Sequence, residues 1–208
     1  MQSYKTVKQK GNDEFTEKRS RFIAYVCPVK TVDEANFFVS QIKQKHWDAK
    51  HNVYAYILKD GNIKKYSDDG EPQGTAGVPV LDVLEKSGVT DVCVVVTRYF
   101  GGILLGGGGL VRAYSHGAKI GLESGIIINM VLCSVLKAEC DYSFYGKLST
   151  AIMNYGGTVE KTEFSEITEI VFCVPSDDEQ MIKSKIFELS NGKVMPEKVN
   201  EKFVEMNL

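Results

Sequence analysis

No stretch of this sequence is apolar for long enough to cross a bilayer, since the longest, Gly125 to Leu132, falls far short of the roughly 20 residues a spanning helix needs. The segment Met1 to Lys10 lacks the apolar core of a signal peptide. These two absences predict a soluble, cytoplasmic protein with no membrane partner. Cysteine is sparse and unpatterned: Cys27, Cys93, Cys133, Cys140 and Cys173 are odd in number and form no Cys-x-x-Cys pair. That argues against a disulfide framework and against a zinc site of the usual spacing. Cys93 in VCVVV and Cys173 in IVFCV read as small buried hydrophobes, and neither is expected to act as a nucleophile. With only three histidines and no His-Glu-x-x-His, the ligand set of a metallopeptidase is missing. There is no Gly-x-Ser-x-Gly elbow, and Ser115 and His116, adjacent on one helix, do not face each other as a catalytic pair would. Internal repeats and low-complexity tracts are lacking too. No cofactor and no metal is expected.

What the sequence does contain is ordinary globular material, 43% hydrophobic and 25% charged, so long disordered stretches are not expected. The net charge of -2 hides an asymmetry. Residues 1–130 carry 17 Lys/Arg against 14 Asp/Glu, and residues 131–208 carry 8 against 13. The first part is the one suited to phosphate or an acidic partner, although so small an excess also fits a merely solvated surface.

The segment RFIAYVCPV alternates as a strand, and Thr31 to Glu34 forms a capping box opening a helix with Ala35, Phe38, Val39 and Ile42 on one face. NVYAYIL and IKKYS flank Lys59-Asp60-Gly61-Asn62, a turn sequence that predicts a hairpin. SDDGEPQG is then a loop, and Ala76, Val80, Leu81 and Leu84 recur at helical spacing over Thr75 to Ser87, with Pro79 in the first turn. A buried strand, DVCVVVTRYF, leads into the glycine run. After Gly109 a helix is expected with Leu110, Val111, Tyr114, Ala118 and Leu122 toward the sheet and Arg112, His116, Lys119 and Glu123 on the opposite face. A short Ile-rich connection precedes strand VLCSVLKAEC, a helix over Phe144 to Tyr155, strands TVEKTEF and ITEIVFCV, a helix opened by a capping box at Ser176 to Glu179, and a strand near Val199 to Val204. That βαββαβ order is ferredoxin-like. Two α+β domains are predicted, at 1–130 and 131–208.

Chemistry concentrates between Ser67 and Leu122. Gly101, Gly102, Gly106, Gly107, Gly108 and Gly109 lie between a strand and a helix, where positive φ and uncovered N–H groups favour an anion. Arg98 and Arg112 flank the run as cations. Tight packing of loop against sheet explains the same glycines. The run matches neither the P-loop nor the dinucleotide fingerprint. Asp68, Asp69 and Glu71 concentrate three carboxylates, suited to a hard cation or an acid/base pair, but turns and caps use the same residues, and composition favours that structural role. The spacing is not that of an EF-hand. His51 and His116 are the candidate bases.

HNVYAYI, SDDGEPQGTAG, VVVTRYFGGILLGGGGLVRAY and the SHGAK continuation, in this order and spacing, resemble the IMPACT family in its bacterial YigZ branch. The resemblance implies an N-terminal domain of the ribosomal-protein-type βαβ superfold also used by elongation factor G, followed by a ferredoxin-like domain similar to that factor's late domains. Eukaryotic members of the family are implicated in translational control by competing for the activator of a kinase that bacteria lack. What carries over is a function class, a noncatalytic binder or regulator in translation or stress. Arg98, Tyr99, Arg112, His116 and Lys119, arrayed around the glycines, would meet RNA, the ribosome or a translation-regulatory protein, with a phosphate-bearing ligand at the Gly106–Gly109 helix start. The alternative is a phosphate- or nucleotide-binding enzyme using Asp68, Asp69 and Glu71.

Overall fold

The computed structural model describes residues 3–206. The chain divides into two compact units, one on Tyr4–Asn129 and one on the chain from Met130 onward, to which Ser3 also belongs. Strand β1 (Ser3–Val7) places Val7 in the core of the first unit and bridges through Lys5 to Val89.

The first unit is a sheet in the order β2-β3-β6-β4-β5, formed by β2 (Gly11–Glu17), β3 (Ser20–Pro28), β4 (His51–Leu58), β5 (Ile63–Ser67) and β6 (Val92–Tyr99). Helix α1 (Val32–Lys45) covers one face, and α2 (Gly77–Ser87) and α3 (Gly107–Gly125) cover the other. The central strands are therefore buried on both sides, which explains their nearly unbroken runs of Val, Ile, Ala and Tyr. Alternation divides them cleanly. Phe22, Ala24, Val26, Val53, Ala55, Val94 and Val96 meet α2 and α3, while Ile23, Tyr25, Cys27, Tyr56, Cys93 and Val95 meet α1.

The Thr31 hydroxyl accepts from Glu34 N–H at 3.1 Å and so caps α1, while Glu34 Oε2 accepts from Lys30 N–H at 2.6 Å, one residue before the Thr31 N–H that a closed capping box would use. The expected hairpin forms between β4 and β5 through a 3-10 turn over Asp60–Asn62, with Gly61 and Asn62 at positive φ. The strand β2 was not anticipated. Its sequence GNDEFTE offers one large apolar residue, Phe15, because it lies at a sheet edge and leaves most of its side chains in solvent. Val111 is also a correction: it is 39% exposed and does not join Leu110, Tyr114, Ala118 and Leu122 against the sheet. Its place in the helical turn, one residue past Leu110, carries it off the buried stripe.

In the second unit β7 (Ile127–Cys140), α4 (Tyr142–Asn154), β8 (Thr158–Glu163), β9 (Thr168–Pro175), α5 (Glu179–Leu189) and β10 (Glu197–Glu205) follow one another. The strands lie in the order β10-β7-β9-β8, antiparallel throughout. This is the ferredoxin-like arrangement, with each helix crossing over an intervening strand. The Ile-rich residues expected as a connection instead begin β7 at Ile127. The second capping box does not form. Residues Ser176–Asp178 make a 3-10 turn, and no side chain caps α5. Glu179 turns inward to accept from the Ser134 hydroxyl at 2.7 Å and from Lys183 Nζ at 2.6 Å. Burial alone would raise its pKa, but those hydrogen bonds outweigh it and hold the carboxyl below its ordinary range. All five cysteines are buried and unbridged, and burial pushes the Cys93 thiol far up.

Candidate functional site

In β6, Arg98 follows the inward parity of Val94 and Val96, so a guanidinium arrives where an aliphatic side chain is expected, 5% exposed against Phe22. The chain supplies partners from distant positions. Arg98 Nη1 donates to Glu71 Oε1 at 2.7 Å and Nη2 to the Ser20 hydroxyl at 3.3 Å. The Tyr114 hydroxyl, from α3, donates to the same Glu71 oxygen at 2.8 Å. Burial, reinforced by the Glu71 carboxylate, drives the Tyr114 pKa well above its ordinary value, so the hydroxyl stays a donor. His51, paired with Arg98 across the β4–β6 ladder, donates from Nδ1 to the Asp69 carbonyl at 2.9 Å and points Nε2 toward Glu71 Oε1 at 3.9 Å. Three groups converge on one carboxylate oxygen.

The acidic loop is held by its own carboxylates. Asp68 Oδ1 accepts from the N–H groups of Ala76 and Gly77 at 3.1 and 2.8 Å, and Oδ2 accepts from Gly74 N–H at 2.9 Å. It caps α2 from eight or nine residues upstream, where Ala76 has no capping side chain of its own. Asp69 takes Lys43 Nζ at 2.5 Å and Asn52 N–H at 2.7 Å. The three carboxylates thus serve three different structural duties. Among the described residues no three His, Cys, Asp or Glu side chains converge to hold a metal ion.

The glycines connect β6 to α3. Gly106, at φ 71°, precedes the helix without a capping side chain, and the first intrahelical hydrogen bond runs from Leu110 N–H to Gly106 C=O at 2.9 Å. The N–H groups of Gly107, Gly108 and Gly109 lie ahead of that bond. At Gly101 the requirement is steric, because a Cβ there would fall 2.0 Å from the Arg19 carbonyl carbon. The β2–β3 turn, with exposed Lys18 and Arg19, is therefore pressed against the loop. Gly102 is a further positive-φ position, at 84°.

Two cavities flank the helix start. One, of 360 Å³, is lined by Lys50, His51, Glu71, Pro72, Arg98, Phe100, Leu104, Leu105 and Gly106 among others. The other, of 440 Å³, lies between Phe15 to Lys18 and the α3 residues Gly109, Arg112, Ala113 and His116. Leu105 belongs to both, so the cavities are neighbours. At the first, Leu104 is 82% exposed and Phe100 46%. These apolar tips were not singled out in the sequence, where they read as loop filler between glycines.

The expected binding residues are only partly brought together. Arg112, His116 and Lys119 share the exposed side of α3, as their spacing requires. Arg98 is buried in an ion pair, so it is not a surface cation. Tyr99 falls on the other face of the sheet, where its hydroxyl meets His46 Nδ1 at 2.9 Å and donates to Asp48 Oδ1 at 3.0 Å. Adjacent strand residues cannot share a face, so the two were separable by parity alone. Ser20 and Tyr114 were not anticipated as partners of the site: Ser20 carries no local signal, and Tyr114 reads as one more apolar residue of α3.

Comparison with known proteins places these features in context. The Impact N-terminal domain matches residues 18–122, and a domain of unknown function, DUF1949, matches residues 139–193. The chain is similar to IMPACT family member YvyE of Bacillus subtilis (strain 168), 40% identical over 194 residues, covering 93% of this chain and 89% of that protein. It is similar to IMPACT family member YigZ of Escherichia coli (strain K12), 32% identical over 178 residues, covering 84% of this chain and 87% of that one. Protein IMPACT of Rattus norvegicus is 36% identical over 95 residues, 44% of this chain and 30% of its own length. A crystal structure described as that of an hypothetical protein superposes with a TM-score of 0.61 at 28% identity, covering 96% of this chain and 98% of that one. With its glycine-loop domain matched over half the sequence and full-length relatives aligned across both units, the chain belongs to the IMPACT family.

Proposed function

We propose that this is a noncatalytic binding protein of the translation apparatus that meets RNA at the glycine-loop end of its first unit. The carrying observation is the composition of that end: the uncapped start of α3, exposed Lys18, Arg19, Arg112, His116 and Lys119, and the protruding Phe100 and Leu104. Backbone N–H groups at a helix start and side-chain cations suit phosphates. Exposed aromatic and aliphatic tips suit unstacked bases. The resemblance of the two domains to translation-factor folds supports the setting. The enzyme alternative loses its instruments, because Asp68 caps a helix, Asp69 anchors β4 and Lys43, and Glu71 neutralises Arg98.

Titration of single-stranded RNA into the full chain at several salt concentrations tests the reading. Affinity is expected to fall steeply with salt, and Arg112→Ala and Lys18→Ala are each expected to lower the slope by about 1. Salt-insensitive or absent binding overturns it.

A further inference from the structure

The β2–β3 hairpin closes on Lys18 and Arg19, with Glu17 paired to Ser20 across the ladder. Both turn residues stand in the left-handed region, at φ 45° and 64°. A tight hairpin turn with two positive φ angles is ordinarily filled by Asn and Gly, which adopt them with little strain. Two long cations held there add strain and do nothing for the turn, so the hairpin itself does not account for them. Lys18 lines the 440 Å³ cavity together with Arg112 and His116 of α3. Among the described residues none of these three side chains forms an ion pair or a hydrogen bond, whereas Arg21 and Lys119 are paired with Glu14 and Glu123. Glu17 is the one acid on the cavity wall. The His116 ring meets Phe15 in a T-shaped contact, centroids 4.6 Å apart, which holds it on that wall. Arg112 reaches back toward the start of its helix, where Nη1 would stand 3.9 Å from a Cβ on Gly108, and the bare glycine leaves space beside the guanidinium.

Donors thus enter this cavity from two elements, the turn and the helix, and none of them is already satisfied. A phosphodiester inside a strand carries one negative charge and two free oxygens, whereas a phosphate monoester carries about −1.5 to −2 and three free oxygens. From this combination we infer that the cavity receives a phosphate monoester, the phosphorylated end of an RNA strand. The inference rests on the RNA-binding reading above and names the part of the strand that enters. Lys18 and Arg112 take the phosphate oxygens from the two elements, His116 adds an imidazole N–H, and the adjoining ribose meets Phe15 and Leu105. Interior phosphates are left to Arg19 and Lys119, which lie outside the cavity lining.

The test titrates the full chain with oligo(U) strands of one length carrying hydroxyl ends, a 5′-phosphate or a 3′-phosphate. A hydroxyl-ended strand one nucleotide longer adds a charge without a monoester. An end phosphate is expected to tighten binding about tenfold over the hydroxyl strand, and the longer strand is expected to gain far less. The two phosphorylated strands show which end enters, and uridine 5′-monophosphate is expected to displace a phosphorylated strand where uridine does not. Lys18→Asn relaxes the turn and Arg112→Ala falls at an exposed helical position, so both keep the fold. Each is expected to bring the phosphorylated strands down to the hydroxyl level, while Lys119→Ala weakens all strands alike and leaves the ratio unchanged. A gain from the longer strand equal to that from an end phosphate, or a preference that survives either cavity substitution, overturns the monoester site while leaving salt-dependent RNA binding intact. Absence of binding by every strand, with uridine 5′-monophosphate still held, retains the site and overturns the RNA reading. Loss of both overturns both.

Discussion

Arg98 and Glu71 stand 27 residues apart in the chain and 2.7 Å apart in space, with almost all of both side chains removed from water. The pair joins β6 to the acidic loop, and Tyr114 joins α3 to both. Removing one member of such a buried pair strands the other's charge, so Arg98→Ala is expected to destabilise the first unit by about 3–5 kcal/mol. Because the chain has two units, hydrogen exchange of β6 and α3 amides reads the loss more directly than a single melting temperature. Unchanged protection would show that the ion pair does not hold the loop.

Tyr114→Phe removes only the hydroxyl. A hydrogen bond to a charged acceptor contributes about 1.5–3 kcal/mol, and Glu71 keeps Arg98, so a loss within that range is expected from chemical denaturation monitored on the same amides.

Asp68→Ala takes away the cap of α2 and is expected to cost about 0.5–2 kcal/mol, with Asp68→Asn recovering part of it. Circular dichroism through a urea titration measures both. A larger effect of Asp68→Asn on RNA affinity than on stability would reassign the residue to ligand binding.

Much of this organisation was legible in the sequence and some of it was not. The inner strands β3, β4 and β6 announce themselves because burial on both faces demands unbroken apolar runs, and their parity even separates Arg98 from Tyr99. Edge strand β2 hides because solvent imposes no pattern on most of its residues. The role of Asp68 as a cap was foreseen in kind, yet its target was not, since the loop returns the carboxylate to N–H groups that the chain reaches only later. Ser176 to Glu179 misled for a related reason: a capping box is a local pattern, and Ser134, 45 residues away, offered Glu179 a buried hydrogen bond instead.

His46 sets a pH dependence. Its ring lies between the Tyr25 and Tyr99 hydroxyls at 2.7 and 2.9 Å, and burial, aided by Lys45, lowers its pKa, against the opposing pull of Asp48. The unfolded chain therefore binds the proton first. The stabilising contribution is complete above the unfolded value of 6.5 and declines as pH falls through it toward the folded value. Urea midpoints of the wild type are expected to drop on acidification more than those of His46→Phe.

Gly101 and Gly107 make an internal contrast. A Cβ at Gly101 meets Arg19 backbone at 2.0 Å, while one at Gly107 meets only the Thr75 methyl at 3.9 Å. Gly101→Ala is expected to displace the β2–β3 turn and weaken RNA binding through Lys18 and Arg19. Gly107→Ala, in a helical position, is expected to be neutral or stabilising by up to about 1 kcal/mol. Thermal shift and RNA titration of the two variants decide it.

The alternation of β6 has a genetic corollary. Arg98 and Tyr99 have separate addresses, one beneath the glycine loop and the other beside His46. Deleting one codon between Val92 and Arg98 would drive the tyrosine into the place of the cation and the cation toward α1, and inserting one would likewise carry the cation to the α1 face. Length variation that this domain tolerates is therefore confined to its turns, such as Asp60–Asn62, and a one-residue frame change within β6 is expected to be lethal to the fold even where every substituted amino acid is itself a good strand former.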